Sequence, residues 1–218
     1  MTSSNERPKV LLTVHSLKWV HKEVLRKVVA IAGDPRFRVS LDLPCYVPFE
    51  NGLAHTVNLL MKGDWEWWLS IDADNPPMRN PLDLIELDRD IMGCPTPVYH
   101  YTGEQPGERP IYWNAYQFDA PTGLYREWPV KEGLQRVDAV GTGCILINRR
   151  VFEHPEMRKG PFMRRWNEDG TVERGNDIAF CERAREHGFE IWCHFDYPAE
   201  HMVEVPLNEI SKAFKALM

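Results

Sequence analysis

Apolar and polar positions follow one another along the first part of this 218-residue chain in the order that strands and helices take in an α/β sheet. Lys9–His15 is a continuous apolar run with a polar end, which predicts a buried strand. Residues 18–32 place valine and isoleucine at helical spacing, and residues 37–43 alternate as a strand does. A short helix over residues 52–61 follows. This βαβα order predicts a parallel sheet.

The next predicted strand, over residues 65–71, ends in an acidic corner. Its tryptophans and isoleucine indicate a strand that is buried on both faces. Asp72 and Asp74 follow it directly, and Pro76-Pro77 cannot extend a strand because proline has no N–H to donate. Two carboxylates are therefore expected at the carboxyl end of a buried strand, the edge at which open α/β sheets bind their ligands.

Asp72 and Asp74 point the same way on an extended backbone, because they are two residues apart. Two like charges held together are unfavourable unless a cation lies beside them. Mg²⁺ or Mn²⁺ suits such a site, since both ions prefer oxygen ligands and leave coordination positions for phosphate. The alternative is that the two side chains only cap the turn that follows.

The middle of the chain changes character. Asn80 and Pro81 resemble the cap and first residue of a helix that runs to Leu87, and residues 90–94 predict a short strand. Residues 95–129 are rich in proline, glycine, tyrosine and tryptophan, and they predict a β-ribbon with loops laid over the sheet.

Gly141 and Gly143 precede a predicted strand over residues 144–147. They indicate either a close approach of another group to the backbone or a β-bulge. A short helix is expected to follow and to end at Pro155. Residues 158–175 are highly charged and poor in apolar side chains, which favours a solvated loop or a lid over an active site.

The last third of the chain contains two further candidate site residues, Asp177 at the start of a predicted helix and His201 after a predicted strand. Asn176 is a good helix cap, and the helix after it carries Asp177 in its first turn and stops at Gly188. A strand over residues 189–195 leads into a loop with His201. Each has a simpler explanation: Asp177 is favourable near the positive end of a helix dipole, and His201 is a surface histidine.

Composition narrows the class of protein. A 43% share of hydrophobic residues is sufficient for a core, and a net charge of −6 is unlike that of a general nucleic-acid-binding protein. Five widely spaced cysteines indicate reduced core residues. The polar N-terminal segment and the absence of a run of about 18 apolar residues predict a cytoplasmic protein with no membrane span.

The order of three motifs and a final histidine resembles the GT-A glycosyltransferases, particularly the small family-2-like enzymes of bacteria and phages. The motifs are WLSIDADNPP, GTGCILINRRVFE and NDIAFCERAREHGFEIW, followed by His201. The resemblance covers most of residues 10–201. It implies an α/β, Rossmann-like GT-A fold, in which helices flank a central, mostly parallel mixed sheet with a small β-ribbon region.

The resemblance also implies how the chain is divided. Residues 1–218 are expected to form one catalytic domain. A nucleotide-sugar half spans about residues 9–94, an acceptor-side half spans about residues 95–205, and a C-terminal helix spans residues 206–218.

By resemblance, the acidic corner and the final histidine form the metal site. Asp72 and Asp74 match the family's D-x-D residues, which bind the ribose and the Mn²⁺ or Mg²⁺ on the donor diphosphate. His201 matches a histidine that often completes the metal shell. Asp177 matches the catalytic base of inverting members, although the family's usual Glu-Asp pair here reads Asn176-Asp177, so no role is carried over for the first acid.

By the same resemblance, the end of the first strand binds the nucleotide. The family's fold places the nucleotide base at this strand end, here including Thr13 and His15. Gly143 lies where the donor sugar and the acceptor approach each other.

The expected activity is transfer of a sugar from a nucleotide-diphosphate sugar to an acceptor hydroxyl, with inversion if Asp177 is the base. A retaining outcome stays open. The alternatives are a metal-dependent phosphoesterase, which uses water as nucleophile, and an inactive nucleotide-sugar binder.

The acceptor is open. A basic cluster that comprises Arg158, Lys159, Arg164 and Arg165 suits a polynucleotide, such as phage DNA with hydroxymethylated bases in a host cytoplasm. Six aromatic residues of the middle segment suit stacking on sugars or bases as well as a core: Tyr99, Tyr101, Tyr112, Trp113, Tyr116 and Trp128. A glycan, a lipid-linked sugar and a protein are equally compatible.

Overall fold

The computed structural model describes residues 6–99 and 111–204. The helices within these ranges are α1 Lys22–Ala32, α2 Phe49–Lys62, α3 Arg150–Glu153, α4 Pro155–Arg158 and α5 Asn176–Glu186, together with a 3-10 helix over Pro81–Leu87. The strands are β1 Lys9–His15, β2 Arg38–Asp42, β3 Trp67–Asp72, β4 Ile91–Gly93, β5 Pro97–Tyr99, β6 Ile111–Trp113, β7 Ala115–Asp119, β8 Leu124–Glu127, β9 Leu134–Arg136, β10 Ala139–Val140, β11 Cys144–Asn148, β12 Arg165–Trp166, β13 Val172–Arg174 and β14 Ile191–His194.

A seven-stranded sheet in the order β2-β1-β3-β11-β4-β14-β9 forms the centre of the described chain. Strand β1 pairs in parallel with β2 and β3, and β14 pairs in parallel with β4. Strand β11 is antiparallel to β3 and β4, and β9 is antiparallel to β14. Five of the seven strands therefore run in one direction, which confirms the mostly parallel mixed sheet.

Short antiparallel pairs lie outside this sheet. Strands β10, β7 and β8 form a three-stranded sheet, and β5 pairs with β6. These strands confirm the β-ribbon predicted for the middle segment. They are short because its proline- and glycine-rich sequence interrupts regular structure with turns.

The core has two parts, one on each face of the central sheet. Val10 and Leu12 belong to the cluster that contains α1, whereas Leu11 and Trp68 belong to the cluster that contains α2 and α5. Successive side chains of a strand point to opposite faces. The alternation therefore directs Asp72, four residues after Trp68, toward the face that α5 covers.

Several element boundaries differ from the sequence prediction. Pro155 was expected to end a helix, but α3 ends at Glu153 and Pro155 begins α4, because proline fits the first position of a helix. Gly175, not Asn176, is the cap of α5. The stop at Gly188 is confirmed by its positive φ of 84°.

The structure also bears on other parts of the sequence prediction. The charged residues 158–175 include the antiparallel pair β12 and β13. Among the five cysteines, all of which are free, Cys45 is exposed, so the expectation of core cysteines is wrong at that position. The predicted helix over residues 206–218 lies outside the described residues. Within residues 6–99 and 111–204, no helix is both long and apolar enough to cross a membrane.

Candidate active site

A cavity of about 660 Å³ lies at the carboxyl ends of the central strands. Five predicted site residues line it together: Asp72, Asp74, Gly143, Asp177 and His201. The remaining lining residues are Asn75, Thr96, Val98, Asn114, Tyr116, Tyr125, Gly141, Thr142 and Ile178.

Asp72, the last residue of β3, is held in place and crowded by other carboxylates. Its backbone N–H donates to Gly143 O at 2.8 Å, which ties the strand end to the segment before β11. Burial, and to a smaller extent the charges of Asp74 and Asp177, together raise the pKa of Asp72 to about 7. Asp72 Oδ1 is buried and has no hydrogen-bond donor among the described residues. The carboxylate is thus placed where a cation would relieve both the repulsion and the missing partner.

Asp74 and His201 lie next to each other in the cavity lining. Asp74 Oδ2 lies 3.6 Å from His201 Nε2. His201 Nδ1 lies 2.9 Å from the carbonyl oxygen of Pro97, so Nδ1 carries the proton and donates it to that carbonyl. Nε2 is then the ring nitrogen that faces Asp74, and it is the nitrogen left for a metal ion to bind.

Two links between distant segments hold this pair together. Met202 N–H donates to Asp74 O at 2.8 Å, and Asn75 Nδ2 donates to Glu200 O at 3.0 Å. The loop that carries His201 is therefore fastened to the turn that carries Asp74.

The donor set fits a divalent ion that shares its coordination with a substrate. Across the described ranges, no three His, Cys, Asp or Glu side chains are grouped closely enough to hold a metal by themselves. Mg²⁺ is commonly bound by one or two carboxylates together with substrate phosphates. The unpartnered Asp72 Oδ1 and the Asp74–His201 pair offer oxygen and nitrogen ligands of that kind.

Asp177 reaches the same cavity from α5. It lies in the first turn of the helix, and its Oδ1 accepts a hydrogen bond from Ile178 N at 2.8 Å. Its charge contributes, after burial, to raising the pKa of Tyr116. The helix N-terminus therefore presents a carboxylate beside a half-buried phenol and opposite the acidic corner.

The sequence prediction missed two buried amides at this site. Asn75 and Asn114 are 3% and 5% exposed, and both line the cavity. A Cβ atom at Gly143 would lie 2.8 Å from Asn75 Oδ1, and one at Gly141 would collide with Asn114 Nδ2. The two glycines, which the sequence did single out, therefore make room for asparagine amides.

Thr13 and His15 lie outside the large cavity. The Thr13 hydroxyl accepts a hydrogen bond from Trp68 Nε1 at 2.8 Å. His15 lines a separate cavity of about 50 Å³ with Tyr46, and burial lowers its pKa to about 4, so the ring is neutral. His15 is nevertheless the register partner of Asp72, so both cavities lie along one edge of the sheet. A role in nucleotide binding stays a prediction for both residues.

The basic cluster is largely neutralised by neighbouring carboxylates. The ion pairs join Lys159 to Glu156 at 2.7 Å, Arg164 to Glu50 at 2.6 Å and Arg165 to Glu173 at 2.7 Å. Phosphate groups would have to compete with these acids, which weakens the argument for a polynucleotide acceptor.

Comparison with known proteins bears on the fold. The structure is similar to A197 from STIV, with a TM-score of 0.58 and 13% identity over 90% of this chain and 86% of that chain. It is also similar to GalNAc-T7, solved with UDP, GalNAc and Mn²⁺, with a TM-score of 0.52 and 10% identity over 91% of this chain. The match covers 43% of the GalNAc-T7 chain, so the present chain spans less than half of that length.

The sequence comparisons gave no match. The sequence fits no family model, and no curated protein is significantly similar to it. The structural neighbours establish a GT-A-like fold, as the motif order implied.

Proposed function

We propose that the protein is a metal-dependent glycosyltransferase that moves a sugar from a nucleotide-diphosphate sugar to an acceptor hydroxyl. The observation that carries this proposal is the convergence of Asp72, Asp74, Asp177 and His201 on one cavity of a GT-A-like fold. Acidic side chains from one strand end and one helix start are what a metal site and a general base require.

The donor diphosphate would lie at the acidic corner. Asp72, Asp74 and His201 would hold Mn²⁺ or Mg²⁺, and the bound ion would neutralise the negative charge that builds on the leaving diphosphate. The neighbouring strand end with Thr13 and His15 would receive the nucleotide base. The solved complex of GalNAc-T7 with UDP, GalNAc and Mn²⁺ supports a donor and an ion of this kind.

Asp177 would act as the general base. As the acceptor hydroxyl attacks the anomeric carbon, its proton passes to the Asp177 carboxylate, and the bond between the sugar and the diphosphate breaks. Attack from the face opposite the leaving group inverts the anomeric configuration. Gly143 lies beside Asp72 and lines the part of the cavity where sugar and acceptor would meet.

A glycan is the acceptor that the surface charge favours over DNA. The ion pairs within the basic cluster leave little uncompensated positive charge for a phosphate backbone, whereas a hydroxylated acceptor needs none. DNA with hydroxymethylated bases is the second acceptor to test.

The test is release of nucleoside diphosphate from a panel of nucleotide sugars with Mn²⁺, with and without glycan and hydroxymethylated DNA acceptors. Release is expected to require both the metal and an acceptor, and to be lost in the double variant Asp72→Asn and Asp74→Asn. Asp64→Asn is the matched control, because its side chain is 76% exposed and remote from the cavity. Release of inorganic phosphate would favour a phosphoesterase, and binding without turnover would favour an inactive binder.

A further inference from the structure

The cavity is lined by a buried amide, Asn114, whose side-chain oxygen has a hydrogen-bond partner and whose side-chain nitrogen has none among the described residues. Asn114 lies between β6 and β7, and its Oδ1 accepts a hydrogen bond from Thr96 N at 2.8 Å. Its backbone is fixed as well, because Asn114 N–H donates to Thr96 O at 3.0 Å and Gly141 N–H donates to Asn114 O at 2.8 Å. The backbone of Asn114 is therefore tied to two segments, and the bond from Thr96 N orients its side chain.

That orientation settles which atom of Asn114 is left over. Since Oδ1 faces Thr96, the Nδ2 amino group lies on the opposite branch, against Gly141. Nδ2 has no acceptor among residues 6–99 and 111–204. The Asn114 residue as a whole is only 5% exposed, and it lines the cavity. Asn114 Nδ2 is not among the fully buried polar atoms that lack a partner, so it is open to the cavity, where a ligand or water can accept from it.

A second amide, Asn75, lines the same cavity and offers an acceptor without a partner among the described residues. Asn75 Nδ2 donates to Glu200 O at 3.0 Å, which leaves Asn75 Oδ1 directed at Gly143. In the described part of the chain, no donor reaches this oxygen. Gly141 and Gly143 flank Thr142, so the free donor and the free acceptor lie against the two ends of one tripeptide.

We propose that Asn114 and Asn75 bind hydroxyl groups of the donor sugar, with Asn114 Nδ2 donating and Asn75 Oδ1 accepting, and that the sugar is uncharged. This inference rests on the proposed glycosyltransferase function. A sugar hydroxyl both donates and accepts, so it suits a site that offers one group of each kind. The ligand would enter a cavity that Asp72, Asp74 and Asp177 already share, and these carboxylates repel a sugar that bears a carboxylate of its own.

The test compares binding of a nucleotide sugar with binding of its nucleoside diphosphate alone, by calorimetry with Mn²⁺. Asn114→Asp keeps an oxygen for Thr96 N–H but replaces the Nδ2 donor with a second acceptor. Asn114→Ala removes the donor without adding charge. Both variants are expected to lower the ratio of nucleotide-sugar affinity to nucleoside-diphosphate affinity by about tenfold, the usual worth of one hydrogen bond.

Asn148→Asp is the matched control. It makes the same change of charge at the far end of β11, where Asn148 Oδ1 accepts from Arg150 N at 3.0 Å, and is expected to leave the ratio unchanged. Because the ratio is the readout, a general loss of nucleotide binding or of folded protein does not imitate the effect.

The outcomes separate this inference from the function on which it rests. If wild-type protein binds no nucleotide sugar of a uridine, guanosine, adenosine and thymidine panel, the proposed function is wrong and the inference falls with it. If a donor is bound and the Asn114 variants leave the ratio unchanged, only the assignment of Asn114 is wrong. A preference of the wild-type protein for a glucuronate donor over the matching glucose donor would contradict the proposal that the donor sugar is uncharged.

Discussion

His201 Nε2 lies 3.6 Å from Asp74 Oδ2, while the Nδ1 atom of the same ring is fixed by the carbonyl of Pro97 at 2.9 Å. These two residues are far apart in the chain, and the bond from Met202 N–H to Asp74 O keeps them together. The histidine nitrogen and the carboxylate oxygen are therefore held close together by bonds within the protein itself.

Removal of the histidine should weaken the metal site. His201→Ala is expected to lower the affinity for Mn²⁺ by about tenfold or more, since it removes one ligand and leaves the carboxylates. Titration of Mn²⁺, followed by its paramagnetic resonance signal in the presence of nucleoside diphosphate, measures the change. His187→Ala, at the C-terminus of α5 and away from the cavity, is the control. Equal Mn²⁺ affinity in the two variants would contradict a ligand role for His201.

Asp72 should make the metal-free protein less stable as pH rises. Its pKa in the folded state is about 7, above the ordinary 3.8, so the folded protein binds this proton more tightly than the unfolded chain does. The free energy of unfolding therefore falls between about pH 4 and pH 7 and then levels off. Asp72→Asn removes this contribution, so its stabilising effect should be about 3 kcal/mol larger at pH 8 than at pH 5.

Urea unfolding of both proteins in chelator, at pH 5 and at pH 8, measures that difference. The same effect of Asp72→Asn at both pH values would show that Asp72 is already ionised at pH 5.

Asp177 should be required for turnover and not for donor binding. Asp177→Asn retains an oxygen that accepts from Ile178 N–H but removes the basic carboxylate. Turnover is expected to fall by about 10² to 10⁴, the usual contribution of a general base, with little change in nucleotide-sugar affinity. Glu186→Gln, in the last turn of the same helix, is the control. Proton NMR of the product reports whether the anomeric configuration inverts, and retention with unchanged turnover would remove Asp177 from the mechanism.

The acidic corner could be predicted from sequence because its signal is local. A buried strand, two carboxylates and two prolines are adjacent in the chain. Together they predict a central strand that ends at Asp72, on the side of the sheet where the carboxyl ends of the parallel strands lie. Asp177 was equally accessible, since the first turn of a helix is indicated by the residues around it.

Asn114 could not be found in this way. Asn114 becomes part of the site through bonds to Thr96 and Gly141, which depend on how β5, β6 and β10 pair over the main sheet. An asparagine between two short strands looks like any turn residue. The only signal was indirect: Gly141 and Gly143 indicated that some group approaches the backbone closely, without indicating which one.

Gly141→Ala tests that close approach. The added Cβ atom would collide with Asn114 Nδ2, and the Asn114 side chain cannot easily move because its Oδ1 is bonded to Thr96 N. We expect a loss of about 1–3 kcal/mol in the free energy of unfolding, as for other overpacked sites. Gly33→Ala is the control, since a Cβ atom there would meet its nearest neighbour at an ordinary 3.4 Å. If Gly141→Ala is destabilising, Asn114→Ala in the same chain should restore part of the loss, because it removes the amide that the new methyl group strikes. Additive losses in the double variant would mean that the two residues do not contact each other.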